Sequence, residues 1–438
     1  MNRREIINPV RHNSASLTMN SRFRRSFYGL LLFFLLSPVA PAADAPAADA
    51  PDWNADTLTG DWGGVRTNLS ERGVTLEVVL KADVLSNLSG GIKRGTKYMD
   101  NWDFKLKADA DKLWGWTNTT AFLQVISNHG GKLNGTHVGS FMGVDNIEVN
   151  ANTTKLFHAW LERSFFDEKF SVLAGLYPVD SQFYVTDSTG VFLHPTGGMA
   201  AEVAQTGAGG PSIFPTSSFG LRAAWQPTAK YYFQAALVDG VPGNPNNPHG
   251  THVRFDRGDG TLAIMETGIR PAEEISKYAV GYWRYTPRFD DLVDIDGLGN
   301  PVRRVNRGAY FLAEQTVLRE KDDSSQGLTL FFRYGVANGD VNTLDYSYST
   351  GLRYKGLLPG RNEDEFGIGF TRGHAGAKFR LAAATPLTSN ETALEITYRA
   401  KVNPWLAIQP TLQRIANPGY DPALADAWIA GARFEIAF

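Results

Sequence analysis

The last twelve residues read Ala427-Trp-Ile-Ala-Gly-Ala-Arg-Phe-Glu-Ile-Ala-Phe438. Trp428, Ala430, Ala432, Phe434, Ile436 and Phe438 share one parity, and Ala427, Ile429, Gly431, Arg433, Glu435 and Ala437 the other. Successive side chains of a β-strand point to opposite faces. One face of this segment is therefore wholly apolar, with aromatics at both ends, while the other carries an Arg and a Glu. That is the pattern of a strand between lipid and a polar lumen, as in a membrane-spanning β-barrel.

The alternation recurs upstream. Val74, Leu76, Val78, Leu80, Ala82 and Val84 alternate with Thr75, Glu77, Lys81 and Asp83, Val79 being the exception. After a Gly-rich loop, Trp102, Phe104, Leu106, Ala108 and Ala110 alternate with Asp103, Lys105, Lys107, Asp109 and Asp111. Each stretch is long enough to cross a bilayer, which takes about 9–11 tilted residues. Further strands are predicted near 118–128, 153–165, 170–184, 219–226, 231–239, 260–267, 277–286, 308–319, 327–336, 344–355, 365–372, 391–401, 405–415 and 427–438. The fold class is thus all-β, an antiparallel transmembrane β-barrel of about sixteen strands over 74–438, an even number as bacterial barrels require. The last strand is expected to close against Val74–Asn87. Short links at Phe166–Lys169, Pro227–Lys230 and Val402–Pro404 alternate with long loops near 129–152, 185–218, 240–259, 287–307 and 373–390, the asymmetry of outer-membrane barrels. Trp114, Trp116, Trp225, Tyr231, Tyr232, Trp283, Tyr285, Trp405 and Trp428 fall at strand ends, as interfacial aromatic girdles would.

Composition agrees. The 438 residues include 43 Lys and Arg against 45 Asp and Glu, which argues against a nucleic-acid partner, and no Cys, which excludes disulfides and thiolate metal sites. No apolar run approaches the roughly 20 residues of a transmembrane helix. The longest, Tyr28–Leu36, follows Arg22, Arg24 and Arg25 and precedes the small-x-small motif Ala40-Pro41-Ala42. It reads as a signal peptide over 1–42, with translation starting at Met19. Without those residues 37 basic and 44 acidic residues remain, net −7. Residues 43–57 read as a flexible spacer. The segment 58–73 reads as a short N-terminal element containing a helix N-capped by Thr67 or Asn68 and ended by Gly73.

A barrel of this size leaves a lumen too wide for strand side chains to fill. Selectivity must then come from an inward loop and from wall charges. The longest loop, 185–218, is the expected constriction, with Phe192 and Phe214 as anchors, and 129–152 is the runner-up. The lumen parity holds Glu77, Lys81, Asp83, Asp103, Lys105, Lys107, Glu162, Arg222, Glu314, Arg353, Glu395, Arg433 and Glu435. Charges of both signs suit a neutral, hydroxyl-rich solute better than an anion, because carboxylates accept and Lys and Arg donate hydrogen bonds. Lys81, Asp83, Lys105, Lys107, Glu162 and Arg222 are the candidate path residues; the alternative role for each is to neutralise a neighbour. A first loop centred near Arg94 would set Asp83 opposite Lys105 and Lys81 opposite Lys107.

Six segments, Leu58-Thr-Gly-Asp-Trp-Gly-Gly-Val-Arg66, Asn128-His-Gly-Gly131, Gly209-Gly-Pro-Ser-Ile-Phe-Pro215, Gln234-Ala-Ala-Leu-Val-Asp-Gly-Val-Pro-Gly243, Gly356-Leu-Leu-Pro-Gly-Arg361 and Gln409-Pro-Thr-Leu-Gln413 with Asn417-Pro-Gly419, together resemble the OprB family of carbohydrate-selective porins. The resemblance spans about 56–438. It implies an outer-membrane sixteen-stranded barrel that passes glucose and other small sugars by diffusion, without cofactor, through a pore narrowed by inward loops. It places 58–73 on the periplasmic side and makes the terminal Phe438 an address for the outer-membrane assembly machinery. A homotrimer is compatible with it, although no outward patch is distinct enough to name as its contact.

Rival readings are an outer-membrane enzyme and a porin for organic acids or other small solutes. An enzyme would need a nucleophile, a His and an acid. His158, His194, His249, His252 and His374 lie outside any Gly-x-Ser-x-Gly context. His249 and His252 have a metal-compatible spacing but sit in a Gly/Pro/Asn-rich loop, where solvated turns are commoner. Gly207-Ala-Gly-Gly210 does not open a helix, which argues against a phosphate loop. No enzymatic activity is expected.

Overall fold

The computed structural model describes residues 52–271, 276–321 and 323–438. The proposed signal peptide and the first part of the spacer lie outside them. Sixteen strands run in chain order: β1 (Val74–Ser89), β2 (Gly95–Asp109), β3 (Thr119–Gly130), β4 (Thr153–Phe165), β5 (Phe170–Tyr177), β6 (Ser218–Trp225), β7 (Tyr231–Asp239) and β8 (Thr261–Ile269), then β9 (Ser276–Ile295), β10 (Pro301–Arg319), β11 (Gly327–Ala337), β12 (Leu344–Lys355), β13 (Glu365–Ala375), β14 (Asn390–Asn403), β15 (Leu406–Ala416) and β16 (Ala427–Ala437). Each pairs with its sequence neighbours, and β16 returns to β1, closing the barrel. The seam is antiparallel, with Asp83 opposite Arg433 and Lys81 opposite Glu435.

Alternation in sequence becomes alternation in exposure. Along β6, Phe219 and Leu221 are exposed on the outer face, while Gly220 and Arg222 are buried toward the lumen. Outward apolar side chains satisfy lipid, and closure leaves no unpaired strand edge in it. Trp114, Trp116, Trp225, Tyr231 and Trp428 are exposed, as a girdle requires. Tyr232, Trp283 and Tyr285 are not: they are buried in a cluster under an inward loop. Trp405 is covered by Trp53, ring centroids 5.2 Å apart.

The strand boundaries differ from expectation where tertiary contacts override local signals. The β5 strand stops at Tyr177 rather than 184, because Pro178 has no N–H for the ladder and a 3-10 turn follows at Val179–Ser181. The stretch 287–307 is not a loop but the outer half of a long β9–β10 ribbon. Each of its faces mixes charged and apolar side chains, so the regular apolar alternation that marks lipid-facing strands is missing. Cross-strand pairs such as Arg303–Asp290 at 2.7 Å and Arg304–Asp291 at 3.0 Å replace it.

The first hairpin also differs. Asp83 faces Met99, Lys81 faces Asn101, Glu77 faces Lys105 and Thr75 faces Lys107. The turn is Gly90–Arg94, shifted toward the N-terminus. The Asn87 side chain shapes it, donating to the carbonyls of Gly90, Lys93 and His137 at 2.9–3.0 Å. Gly91, with a φ of +61°, lets the backbone pass against Val138, where a Cβ would lie 2.7 Å from the carbonyl oxygen.

At the short-turn end, the helix Val65–Glu71 has Gly64, not Thr67 or Asn68, at its N-cap. Asp61 supplies the missing acceptor: its carboxylate receives the Thr67 N–H at 2.9 Å and the Thr67 hydroxyl at 3.0 Å. The segment is tied to the barrel closure. Leu58 donates to the Ala437 carbonyl at 2.8 Å, and Arg66 donates to the Phe438 carbonyl.

Candidate functional site

Two loops, not one, fill the lumen: 131–152 between β3 and β4, and 178–217 between β5 and β6. Both are held by buried charges on the barrel wall. The Glu395 carboxylate on β14 accepts the N–H groups of Leu193 and His194, both at 2.9 Å. Glu314 on β10 accepts Ser188 N–H at 3.0 Å and its hydroxyl at 2.8 Å. Glu266 on β8 takes Tyr184 N–H at 2.9 Å. Glu391 on β14 does the same for the other loop, accepting Phe141 and Met142 N–H at 2.8 and 2.9 Å. Arg333 on β11 is the complement, donating to the carbonyls of Thr196, Gly197 and Gly198 at 2.9, 3.2 and 2.6 Å. A loop drawn into a lumen strands its backbone polar groups away from bulk water. Wall carboxylates and guanidinium groups meet them with charge-assisted bonds, the strong class. The loops are also joined to each other, Asn146 N–H donating to the Leu193 carbonyl at 2.8 Å.

Phe192 packs on Phe331 with ring centroids 5.7 Å apart and lies over β13 where that strand carries glycines. A Cβ at Gly369 would stand 2.9 Å from the Phe192 ring, so the wall there must be glycine. Phe214 is half-buried and faces Phe157 edge-on, with centroids 5.8 Å apart.

Between loops and wall lie two adjoining cavities. The outer one, about 530 Å³, is walled mainly by loop residues, with Lys155 on β4 at its edge. The inner one, about 500 Å³, is bounded on the wall by Lys81, Asn101, Asp103 and Gln124. Across from these stand Phe141, Ile147, Met199 and Phe214. Phe214, Asp145 and Glu148 line both cavities. The wall side is a hydrogen-bonded ladder: Asn128 donates to Asn101 at 2.8 Å, Asn101 to Asp103 at 2.9 Å, and Gln124 to Asp103 at 2.7 Å. Lys81 reaches the inner cavity with no hydrogen bond or ion pair among the described residues.

The structure separates the sequence-derived candidates. Lys81 and Phe214 line the inner cavity. Asp83 does not: it is fully buried and chelates Arg433 at 2.8 and 2.6 Å. Lys105 pairs with Glu77 at 2.8 Å rather than with Asp83. Lys107 is exposed to the lumen. Glu162 and Arg222 hold each other at 2.5 Å, Arg222 also donating to the Ser171 hydroxyl at 2.9 Å. Charges of both signs on the lumen parity thus serve first to anchor loops and pair with one another. Sequence reasoning missed Glu266, Arg333 and Glu391 as anchors and Asn101 and Gln124 as wall residues. Their only sequence signal is a polar residue on the lumen parity of a strand whose other parity is mainly apolar.

Loop burial also sets protonation. Burial pushes the His194 ring down to about 4, so it is neutral at ordinary pH. Burial, and then the neighbouring Asp83 carboxylate, push Asp145 well above its usual range despite Arg433 at 3.9 Å.

Comparison with known proteins places this architecture. The model of the carbohydrate-selective porin family, OprB, matches residues 93–438. This chain belongs to the OprB family. Porin B of Pseudomonas aeruginosa is 27% identical over 424 residues, covering 88% of this chain and 92% of that protein. The high-pH structure of Pseudomonas putida OprB superposes with a TM-score of 0.77 at 23% identity, covering 90% of this chain and all of that one. The low-pH structure gives 0.59 at 21% identity, covering 88% and 99%. As an OprB-family porin, the chain is an outer-membrane channel of the carbohydrate-selective class, and family and fold point to a channel rather than an enzyme. Both described ends lie at one end of the barrel with the links 166–169 and 226–230, and the two inward loops enter from the other.

Proposed function

We propose that small neutral sugars cross this porin by passive diffusion through the two adjoining cavities, with selection at the inner one. The observation that carries this is its two-sided lining: Lys81, Asn101, Asp103 and Gln124 on one side, Phe141, Met199 and Phe214 on the other. A pyranose has hydroxyls round its edge and C–H groups on its faces. Amide, carboxylate and ammonium groups serve the first, and aromatic and aliphatic side chains the second. Lys81 donates, Asp103 accepts, and Phe214 orients the ring, while Phe192 keeps the loop in place. Asp83, Glu162 and Arg222 shape the wall through their pairings, and Lys105 and Lys107 face the lumen beyond the constriction. No energy coupling, cofactor or catalytic step enters this mechanism.

Bilayer conductance of the purified protein, with block by a panel of sugars and organic acids, tests the reading. Sugars should block and permeate, and Lys81→Met should weaken the block. Block by carboxylates alone would assign the pore to organic acids. Turnover in a hydrolytic assay, abolished by His replacement, would instead make the barrel an enzyme.

Residues 1–42 are proposed as a cleaved signal with its start at Met19, which N-terminal sequencing of precursor and mature protein would check. Phe438 is proposed to be read by the outer-membrane assembly machinery. A homotrimer is proposed only as an assembly compatible with the barrel, to be tested by cross-linking in native membranes.

A further inference from the structure

Below the inner cavity the lumen wall carries a file of rings that the constriction does not use. Phe157 meets Phe214 edge-on at 5.8 Å and His158 at 5.0 Å. His158 meets Phe122 edge-on at 5.4 Å, and Phe122 stacks on Trp160 at 5.2 Å with planes 28° apart. The file exists because of a bulge. The β3–β4 register slips between Gln124, opposite His158, and Val125, opposite Leu156, leaving Phe157 as the extra residue. Leu156 and Ala159 keep the outward parity, so Phe157 and His158 both turn inward. A bulge re-aims side chains in this way.

Phe122 and Trp160 form the lower end of the file and are only half-buried. Polar groups surround them on the same face. Lys107 is the cross-strand partner of Phe122 and is exposed. Glu162 lies two residues along β4 from Trp160, and Lys105 faces Gln124 one step up. Gly175, opposite Trp160 on β5, presents no side chain. Trp160 donates its indole N–H to His158 Nδ1 at 3.1 Å, which fixes the ring and leaves no unmet polar atom on it.

We infer that Phe122 and Trp160, flanked by Lys107, Lys105 and Glu162, form a second sugar station on the periplasmic side of the constriction, taking the C–H face of a pyranose that leaves Phe214. Trp160 packs against the buried cluster that contains Leu173 and Tyr177, and its half-open stack with Phe122 still offers the lumen a flat apolar face. The charged groups at its edge match the hydroxyl rim of the ring. Two weak stations in series let a solute leave the first without returning to bulk water, the condition for flux through a selective pore. The station rests on the sugar-passage reading above and names a further site within it.

The test is current block of the full-length channel in planar bilayers by glucose and by the acyclic polyol sorbitol, which has hydroxyls but no ring face. The variants are Phe122→Leu with Trp160→Leu, each alone, Trp160→Tyr, and Lys81→Met. The double variant should lose roughly five- to tenfold in glucose affinity, the worth of one aromatic contact, with sorbitol block unmoved, and Trp160→Tyr should restore the preference. Lys81→Met should weaken both solutes together. Wild-type discrimination between glucose and sorbitol retained in the double variant, or in both single variants should the double fail to fold, overturns the station while the constriction reading stands. A wild-type channel blocked by neither solute overturns both.

Discussion

Glu395 shows what one wall residue can carry. Its carboxylate holds Leu193 and His194 N–H and the Thr411 hydroxyl, the last at 3.0 Å. Each charge-assisted bond contributes about 1.5–3 kcal/mol, and losing the acceptor strands two N–H groups in the lumen. Glu395→Ala should therefore release the loop, raising open-channel conductance and protease cleavage within 186–198, with Glu395→Gln intermediate. His194 adds a pH dependence at the same point. Its ring titrates at about 4 in the folded loop and at about 6.5 when exposed. A base whose folded value is depressed gives stability that is complete above the exposed value. That stability is lost as pH falls from about 6.5 toward 4, by roughly 3 kcal/mol in all. Loop opening, read as rising conductance or cleavage, should therefore grow below about pH 6 in the wild type, and His194→Gln should flatten the response.

The elements divide by what holds them. Loop 178–217 is held by wall charges, so replacing 186–198 with a short Gly-Ser link should widen the pore and admit larger sugars. Unchanged conductance would move the constriction to 131–152. The outer half of the β9–β10 ribbon adds a cluster of ion pairs to its backbone ladder and to the Leu292 N–H bond to the Asp340 carbonyl at 2.9 Å. Lys378, on the short helix Ala377–Ala382, bridges Asp291 and Asp294 at 2.7 Å and Asp340 at 2.9 Å. Three carboxylates hold its ammonium above the usual lysine range. Asp291 is buried, but Lys378, Asp294 and Asp340 keep contact with water, so the net worth of the ammonium is small. Lys378→Met should speed proteolysis of 376–389, more so at low salt, without changing the temperature at which the barrel unfolds.

The whole barrel depends on its seam. Asp83 on β1 and Arg433 on β16 form a buried bidentate pair to which Asn146 adds a bond at 2.7 Å, so the closing strands and one constriction loop meet at a single guanidinium. Removing one partner of such a pair costs about 3–5 kcal/mol. Asp83→Ala should lower the temperature at which the folded band converts to the unfolded one on semi-native gels, and should loosen loop 131–152. Phe438 finishes the same seam: its N–H donates to the Val78 carbonyl at 2.8 Å and its ring meets Trp102 at 5.2 Å. Its deletion should reduce the amount assembled in the outer membrane more than it alters sugar selectivity in what assembles. The barrel itself was legible in the chain, from Val74 to Phe438, because lipid outside and water inside impose a two-residue period that each strand must obey by itself. The strand count and the closing partner of β16 follow from that local rule, but the loop pattern does not at 287–307, which is mostly strand. The site was not legible in the same way. Which lumen charge faces solute and which holds a loop turns on pairings far apart in sequence, as between Glu395 and Leu193 or Arg333 and Thr196. The register of the first hairpin turned on an Asn87 bond to His137, and the ring file on one extra residue at Phe157. Period two fixes the face a side chain takes; only the closed barrel, with its loops folded in, decides what that face meets.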